Sequence, residues 1–388
     1  MRNGEGNGLN LDERRCSAQY YLCSSGHAVS VIGVCRPMET EEDTDLDFSL
    51  FVHMERLRPE QSYAELHQEF IDLALMAEAG GMSTVWTGEH HAMDFTISPN
   101  PFLLLTELSQ KTSKIRLGTG TIVAPFWHPI RLAGEAAMTD LISGGRLELG
   151  IARGAYQYEY DRLGSGIDAW TAGQKLREMI PALKGLWQGD YAHAGEHWEF
   201  PNATAVPKPA QKDGIPVWIA ARDPNSMEFA LEQDCNIQVT PLWKGDEEIE
   251  DAAQKIAESR AKFPEKTCKT MLLNHTAVGE TEAALSSLTN DLSRFYNYFG
   301  AWFMNKRTIY DGSIDPLSDE ELAANEMYAP EAMRAQNAVG TPEEVTERVQ
   351  KYKALGFDEY SFWIDSGAPF EAKRESLKLF IDKVMPNV

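Results

Sequence analysis

Residues 115–154 read IRLGTGTIVAPFWHPIRLAGEAAMTDLISGGRLELGIARG, and the order of elements within them decides the architecture. Ile115–Thr121 reads as a strand. A helix follows within Pro129–Ile142 and stops at Ser143-Gly144-Gly145, where glycine ends the apolar period. Leu147–Ile151 then reads as the next strand. Strand, helix and strand in that order form a parallel unit, because the helix is the crossover that returns the chain to the same edge.

The same alternation extends both ways. Upstream, Asp47–Met54 and Thr84–Thr87 read as strands, with Tyr63–Ala79 and Phe102–Gln110 as helices. Downstream, strands are expected at Val217–Ala220, Asn236–Thr240, Cys268–Ala277 and Asp358–Trp363. Helices are expected at Thr171–Gln188, Ser226–Gln233, Asp246–Lys262, Thr281–Leu292 and Phe370–Val384. Another starts at Thr341-Pro342-Glu343-Glu344, a cap followed by a first-position proline. Eight strand–helix units predict an α/β protein of the (β/α)8 TIM-barrel type. A doubly wound sheet is the rival; it usually carries GxGxxG after its first strand, and none stands there. Residues 189–213 interrupt the alternation with a small hairpin and proline-rich loop. Residues 296–335 show little strand pattern and read as a lid or a helical insertion.

The chain of 388 residues has 36 Lys plus Arg against 59 Asp plus Glu, a formal charge of −23. Its pI is near 4.8. That balance argues against nucleic acid and anionic membrane surfaces as partners, since both need a basic face. No apolar run approaches the roughly 20 residues that span a bilayer. Five scattered cysteines, Cys16, Cys23, Cys35, Cys235 and Cys268, include no CxxC and fit free thiols in a reducing cytoplasm. Residues 1–46 read as a disordered extension or translation from an upstream start. Arg14-Arg15 and the apolar patch Ala28 to Val34 make too short and broken a run for a signal peptide, and Met38 opens a cleaner start.

In a barrel the C-terminal strand ends face the active site. Strand two ends at Glu89-His90-His91. Neighbouring histidines on extended backbone point to opposite sides, so one can face a pocket for acid–base work while the other is held by packing. Two structural histidines would give the same sequence. Gly118-Thr119-Gly120-Thr121 ends strand three with small residues that admit a flat ligand or simply pack tightly. Arg153 leaves strand four beside Gly154, and Arg222 leaves strand five ahead of Ser226 at a helix start. Two such arginines can converge on one phosphate, although surface ion pairs are the bland alternative. His193 and His197, at i and i+4, lie in a non-helical stretch and predict no metal site. Phe126, Trp127, Trp170, Phe303 and Trp363 could form an apolar wall, or serve only as core.

The sequence resembles the bacterial luciferase-like, FMN-dependent monooxygenases. The carrying residues are VWTGEHHAMDF (85–95), the block 115–154 quoted above and VWIAARDPNS (217–226), with Phe380 to Pro386. The resemblance spans residues 47–387 and implies a (β/α)8 barrel. It also implies reduced FMN, supplied by a separate flavin reductase, and oxygenation of a small organic substrate through a flavin 4a-hydroperoxide. It makes His90 the catalytic acid–base group and His91 its support, with Glu89 lining the flavin pocket. It places a non-prolyl cis peptide at Gly120-Thr121. It gives the phosphate to Arg153, with Tyr156 nearby, and to Ala221, Arg222, Asp223 and Ser226, and sets Thr240 beside the ring. It further implies a homodimer paired through helices two and three, and the cysteine usage points to a cytoplasmic location. Residues 296–335 match the family's mobile loop.

Three departures stand out. Ala152 occupies the place of a reactive cysteine in luciferase. Arg222-Asp223 replaces Glu-Ser, and Asp223 would repel a phosphate unless only its backbone faces it. Pro241 and Trp243 alter the aldehyde-facing wall, so light emission with a long aldehyde is not implied. Two other readings share the barrel: a deazaflavin-dependent oxidoreductase and a non-catalytic flavin-binding partner subunit. Glu89-His90-His91 speaks against the first. His90-His91, Arg153 and Arg222 speak against the second.

Overall fold

The computed structural model describes residues 45–388; the expectations for Arg14-Arg15, Cys16, Cys23, Cys35 and Met38 lie outside the described residues. The strands are β1 (Asp47–Phe51), β2 (Thr84–Thr87), β3 (Arg116–Val123), β4 (Leu147–Ala152), β5 (Tyr191–Ala194), β6 (Glu199–Ala203), β7 (Val217–Ala220), β8 (Asn236–Val239), β9 (Thr270–Val278), β10 (Ile309–Tyr310), β11 (Ser313–Ile314), β12 (Ala338–Gly340) and β13 (Glu359–Trp363). Eight of them, β1, β2, β3, β4, β7, β8, β9 and β13, pair in parallel in that cyclic order. The ring closes through β8 with β9 and β13 with β1. This is the expected (β/α)8 barrel, and each barrel strand falls within two residues of its sequence-read position except at the C-terminal end of β1.

Helices α1 (Tyr63–Ala79), α2 (Pro101–Ser109), α3 (Pro129–Ile142), α4 (Gln157–Leu163), α5 (Ala169–Gln188), α6 (Pro224–Glu232), α7 (Asp246–Arg260) and α8 (Glu282–Met304) are followed by α9 (Asp319–Ala324), α10 (Pro330–Gln336), α11 (Pro342–Ala354) and α12 (Phe370–Leu379). Local chemistry sets their starts. Ser62 and Glu65 form a capping box on α1, as Thr341 and Glu344 do on α11. Helix α8 runs to Met304, twelve residues past the expected end at Leu292, because Phe295, Tyr296 and Trp302 continue its buried face. The stretch 296–335 therefore opens with the last turns of α8, followed by the β10–β11 hairpin and short helices. The hairpin expected within 189–213 is β5–β6. Among the described residues no helix is long and apolar enough to cross a membrane.

Side chains alternate across each strand. Leu50, Val85, Leu149, Ile219 and Phe362 pack outward among helix residues such as Leu66, Phe70 and Leu132. Their neighbours Phe51, Trp86, Trp218 and Trp363 belong to a second cluster inside the barrel. Trp86 meets Trp218 edge-to-face at 5.5 Å across the interior. Gly118 makes room for this: a Cβ there would lie 2.0 Å from the Trp86 ring. Both indoles donate to buried carboxylates, Trp86 to Glu359 at 2.9 Å and Trp218 to Glu148 at 2.7 Å. Leu46, assigned by sequence to the extension, is buried in the outer cluster between strands and helices.

Candidate active site at the C-terminal face of the barrel

A cavity of about 610 Å³ opens at the C-terminal strand ends. Of the residues expected there, Glu89, His90, Gly120, Thr121, Arg153, Tyr156, Ala221, Arg222, Asp223, Ser226 and Thr240 all line it. His91 does not. It points the other way, as alternation requires, with Nε2 2.6 Å from Glu89 Oε1 and its ring against Phe126.

Glu89 is a buried hub. Besides His91, its carboxylate accepts the Val123 N–H at 2.8 Å and the Trp127 indole N–H at 2.9 Å. Its oxygens are thus committed to protein donors, and the side chain fixes the β2 and β3 ends relative to each other. The Gly120–Thr121 peptide beside it is cis.

His90 Nδ1 faces Glu159 Oε2 at 3.0 Å, and the other oxygen of Glu159 accepts the His91 backbone N–H at 2.7 Å. Nε2 of His90 has no partner among the described residues. Its ring packs between His53 (4.8 Å) and Tyr156 (5.2 Å). Burial, then the negative charges of Glu55 and Glu159, push the Tyr156 phenol well above its ordinary pKa, so it stays an O–H donor.

The opposite wall is cationic. The Arg153 guanidinium donates to the Ala169 carbonyl at 3.4 Å, and that of Arg222 to the Thr240 carbonyl at 3.3 Å. Arg177 on α5 donates to Asn225 O at 2.9 Å and covers the Phe229 ring. None of the three pairs with a carboxylate among the described residues, in a chain rich in carboxylates. Desolvation in the cleft lowers the pKa of Arg222; Glu248 opposes this and the like charge of Arg153 adds to it. An anion between the arginines would relieve that repulsion. The α6 N-terminus is less open than its sequence suggests. Asp223 caps it, taking the Ser226 N–H at 3.1 Å and its hydroxyl at 2.7 Å.

The sequence reading passed over His53, Glu55, Glu159 and Arg177. His53 and Glu55 follow β1, whose end the barrel rule also directs to this face. Glu159 and Arg177 sit inside helices and carried no local signal. Of the aromatic candidates, Phe303 and Trp363 line the cavity. Trp127 serves Glu89, and Trp170 is exposed in a groove adjoining Arg153 and Arg177. His193 is held by Glu178 and Tyr191, each at 2.9 Å.

Comparison with known proteins agrees with this geometry. Residues 47–359 match the family model described as luciferase-like monooxygenase. The chain is 57% identical over 340 residues to the oxygenase component of flavin-dependent trigonelline monooxygenase from Acinetobacter baylyi, covering 87% of this chain and 94% of that one. Monooxygenase RslO1 from Streptomyces bottropensis superposes with a TM-score of 0.75 at 22% identity, over 88% of this chain and 99% of that one. The oxygenating constituent of 3,6-diketocamphane monooxygenase from Pseudomonas putida, solved in complex with FMN, gives 0.70 at 18% identity, over 89% and 99%. The barrel, its cavity and the matched residues together make this chain a member of the luciferase-like monooxygenase family.

Proposed function

We propose that the chain is the oxygenase component of a two-component flavin monooxygenase, which receives reduced FMN from a separate reductase and oxygenates a small organic substrate. The single observation that carries this reading is a cavity with an unpaired arginine wall at one end and His90 at the other, in a chain so similar to a named flavin-dependent oxygenase component. On the strength of that relative, the proposed substrate is trigonelline or a close analogue.

The residues present fit FMN. Arg153, Arg177 and Arg222 offer a site for its phosphate, with Ala221, Ser226 and the backbone of Asp223 beside them. Gly120, Thr121 and Thr240 give a flat, small-residue wall for the ring. Reduced flavin, when bound, supplies the two electrons with which O2 is divided, one oxygen atom entering the substrate and the other leaving as water. Glu159 holds His90 through Nδ1, which leaves Nε2 to give or take a proton at the cavity. Tyr156 donates a hydrogen bond from the same side. Glu89, whose oxygens are taken by protein donors, and His91 behind it keep this segment of the wall in place.

Phe299 and Phe303 on α8 and the segment after it act as the cover that keeps water from the oxygenating site. The β10–β11 turn is already tied to the loop after β2, where Gly312 O accepts the Asp94 N–H at 2.7 Å. Leu103 on α2 and Met138, Leu141 and Ile142 on α3 are exposed and apolar, which supports a homodimer paired through these helices.

The test is oxygenation under ¹⁸O₂, with reduced FMN and trigonelline. One ¹⁸O atom in the product is expected. Failure to bind FMN, tight binding of a deazaflavin in its place, or oxygen drawn from water would overturn the reading.

A further inference from the structure

We propose that Glu55 is the specificity-determining residue of the cavity, a buried counter-charge that selects substrates carrying a fixed positive charge on a ring nitrogen. This rests on the cavity being the oxygenation site.

Glu55 follows β1, lines the cavity and is 3% exposed. Its Oε2 is buried with no hydrogen-bond partner among the described residues. Oε1 lies 3.4 Å from His53 Nδ1. A buried carboxylate normally has a cation or several donors. Here the protein supplies neither. Burial, then the charges of His90 and His275, hold His53 well below the ordinary imidazole pKa, so it is neutral. Lys373, the nearby buried ammonium, is shared between Asp365 (3.5 Å) and Glu69 (3.8 Å). One ammonium between two carboxylates leaves no counter-charge over for Glu55. Burial and the charge of Asp365 push the Glu55 pKa well upward, with Lys373 opposing, so the protein alone favours the protonated acid and a cation bound beside it draws out the carboxylate.

The walls around it are ring faces. Phe51, Phe95 and Trp363 line the same cavity, with Phe51 against His53 at 5.2 Å and against Trp363 at 5.3 Å. Aromatic faces attract a cation, and most strongly one stripped of water. A quaternary ring nitrogen has no proton to donate. It is held by just these two features, a carboxylate and ring faces. A neutral aldehyde or ketone brings no charge to draw the proton from Glu55, and so gains nothing from the carboxylate. The arginine wall cannot perform this selection, since it repels cations. The two ends thus sort ligands by sign: anionic phosphate at the arginines, cationic ring at Glu55.

Trigonelline is a methylated pyridinium carboxylate, and 3-methylbenzoate has the same shape and the same carboxylate without the ring charge. Binding of each to the full chain, measured by calorimetry with FMN affinity followed separately, tests the proposal. Wild type is expected to prefer trigonelline by at least about tenfold. Glu55→Gln keeps size and polarity, and should bring the ratio close to one with FMN affinity unchanged. If that variant fails to fold, the wild-type ratio still decides. Equal affinity for the two ligands, no binding of either, or a preference that survives in a folded Glu55→Gln protein overturns the proposal. Loss of FMN binding in wild type would instead strike the monooxygenase reading itself.

Discussion

Glu159 Oε2 lies 3.0 Å from His90 Nδ1 and ties the end of β2 to α4 across 69 residues of chain. The same carboxylate also accepts the His91 N–H. It needs two acceptor oxygens to do both, and a carboxylate has them. The arrangement fixes which nitrogen of His90 carries the proton toward the protein and which is left for the cavity.

His90→Ala is therefore expected to retain FMN and to lower kcat by about 10²–10⁴-fold, the usual worth of a positioned acid–base group. Glu159→Gln has one acceptor where two are needed, and its amide can donate to His90 Nδ1 and invert the tautomer. It should lower kcat by about tenfold, with KM nearly unchanged. Steady-state kinetics, with hydrogen peroxide release as a measure of unproductive oxygen use, separates these outcomes from a flavin-binding defect.

The arginine wall predicts a different signature. Arg153→Ala and Arg222→Ala should each weaken FMN binding by about 1.5–3 kcal/mol, the value of a charge-assisted hydrogen bond. The pair should cost less than the sum, since removing one relieves repulsion on the other. Arg177→Ala should weaken FMN in the same direction. Fluorescence titration of flavin against each variant measures all three.

Asp223 caps α6 but places a carboxylate beside those arginines. Asparagine caps equally well without the charge. Asp223→Asn is expected to leave the melting temperature unchanged and to tighten FMN binding by several-fold. A weaker affinity would mean that Asp223 serves the ligand by holding Ser226.

Buried Glu359 gives a pH-dependent stability. Burial raises its pKa to about 7, against the hydrogen bond from Trp86 that lowers it. The folded state thus holds the proton to higher pH than the unfolded chain, whose value is near 4.5. The contribution is full below about pH 4.5 and is lost as pH rises through 7, to a limit of about 3 kcal/mol. His275 works the other way. Burial lowers it to about 3, so its neutral form stabilises above 6.5 and that contribution falls away in acid. Glu359→Gln, which keeps an acceptor for Trp86, should remove the loss between pH 5 and 8 and melt higher than wild type at pH 8. Melting curves across pH check the sign.

The sequence by itself determined the barrel. The strand–helix period, the glycine stops and the caps are local, and eight such units with no GxGxxG after the first strand favour a closed barrel over a doubly wound sheet. It also determined which residues stand at the strand ends. Glu89-His90-His91, Gly120-Thr121, Arg153 and Arg222 could be placed at the mouth from position alone, because a strand's end fixes height along the barrel axis. The same rule applies to β1 and would have reached His53 and Glu55. What only the tertiary structure decided is pairing around the ring. The His53 N–H meets Asp365 Oδ2 across 312 residues, at 2.5 Å. Arg177 joins the arginine wall from the middle of a helix, and Asp223 turns back on its own helix. Glu55 Oε2 has no hydrogen-bond partner among the described residues, and Lys373 is shared by Asp365 and Glu69. Such outcomes depend on which side chains meet when the ring closes, a property of three-dimensional proximity that no period or spacing in the chain encodes.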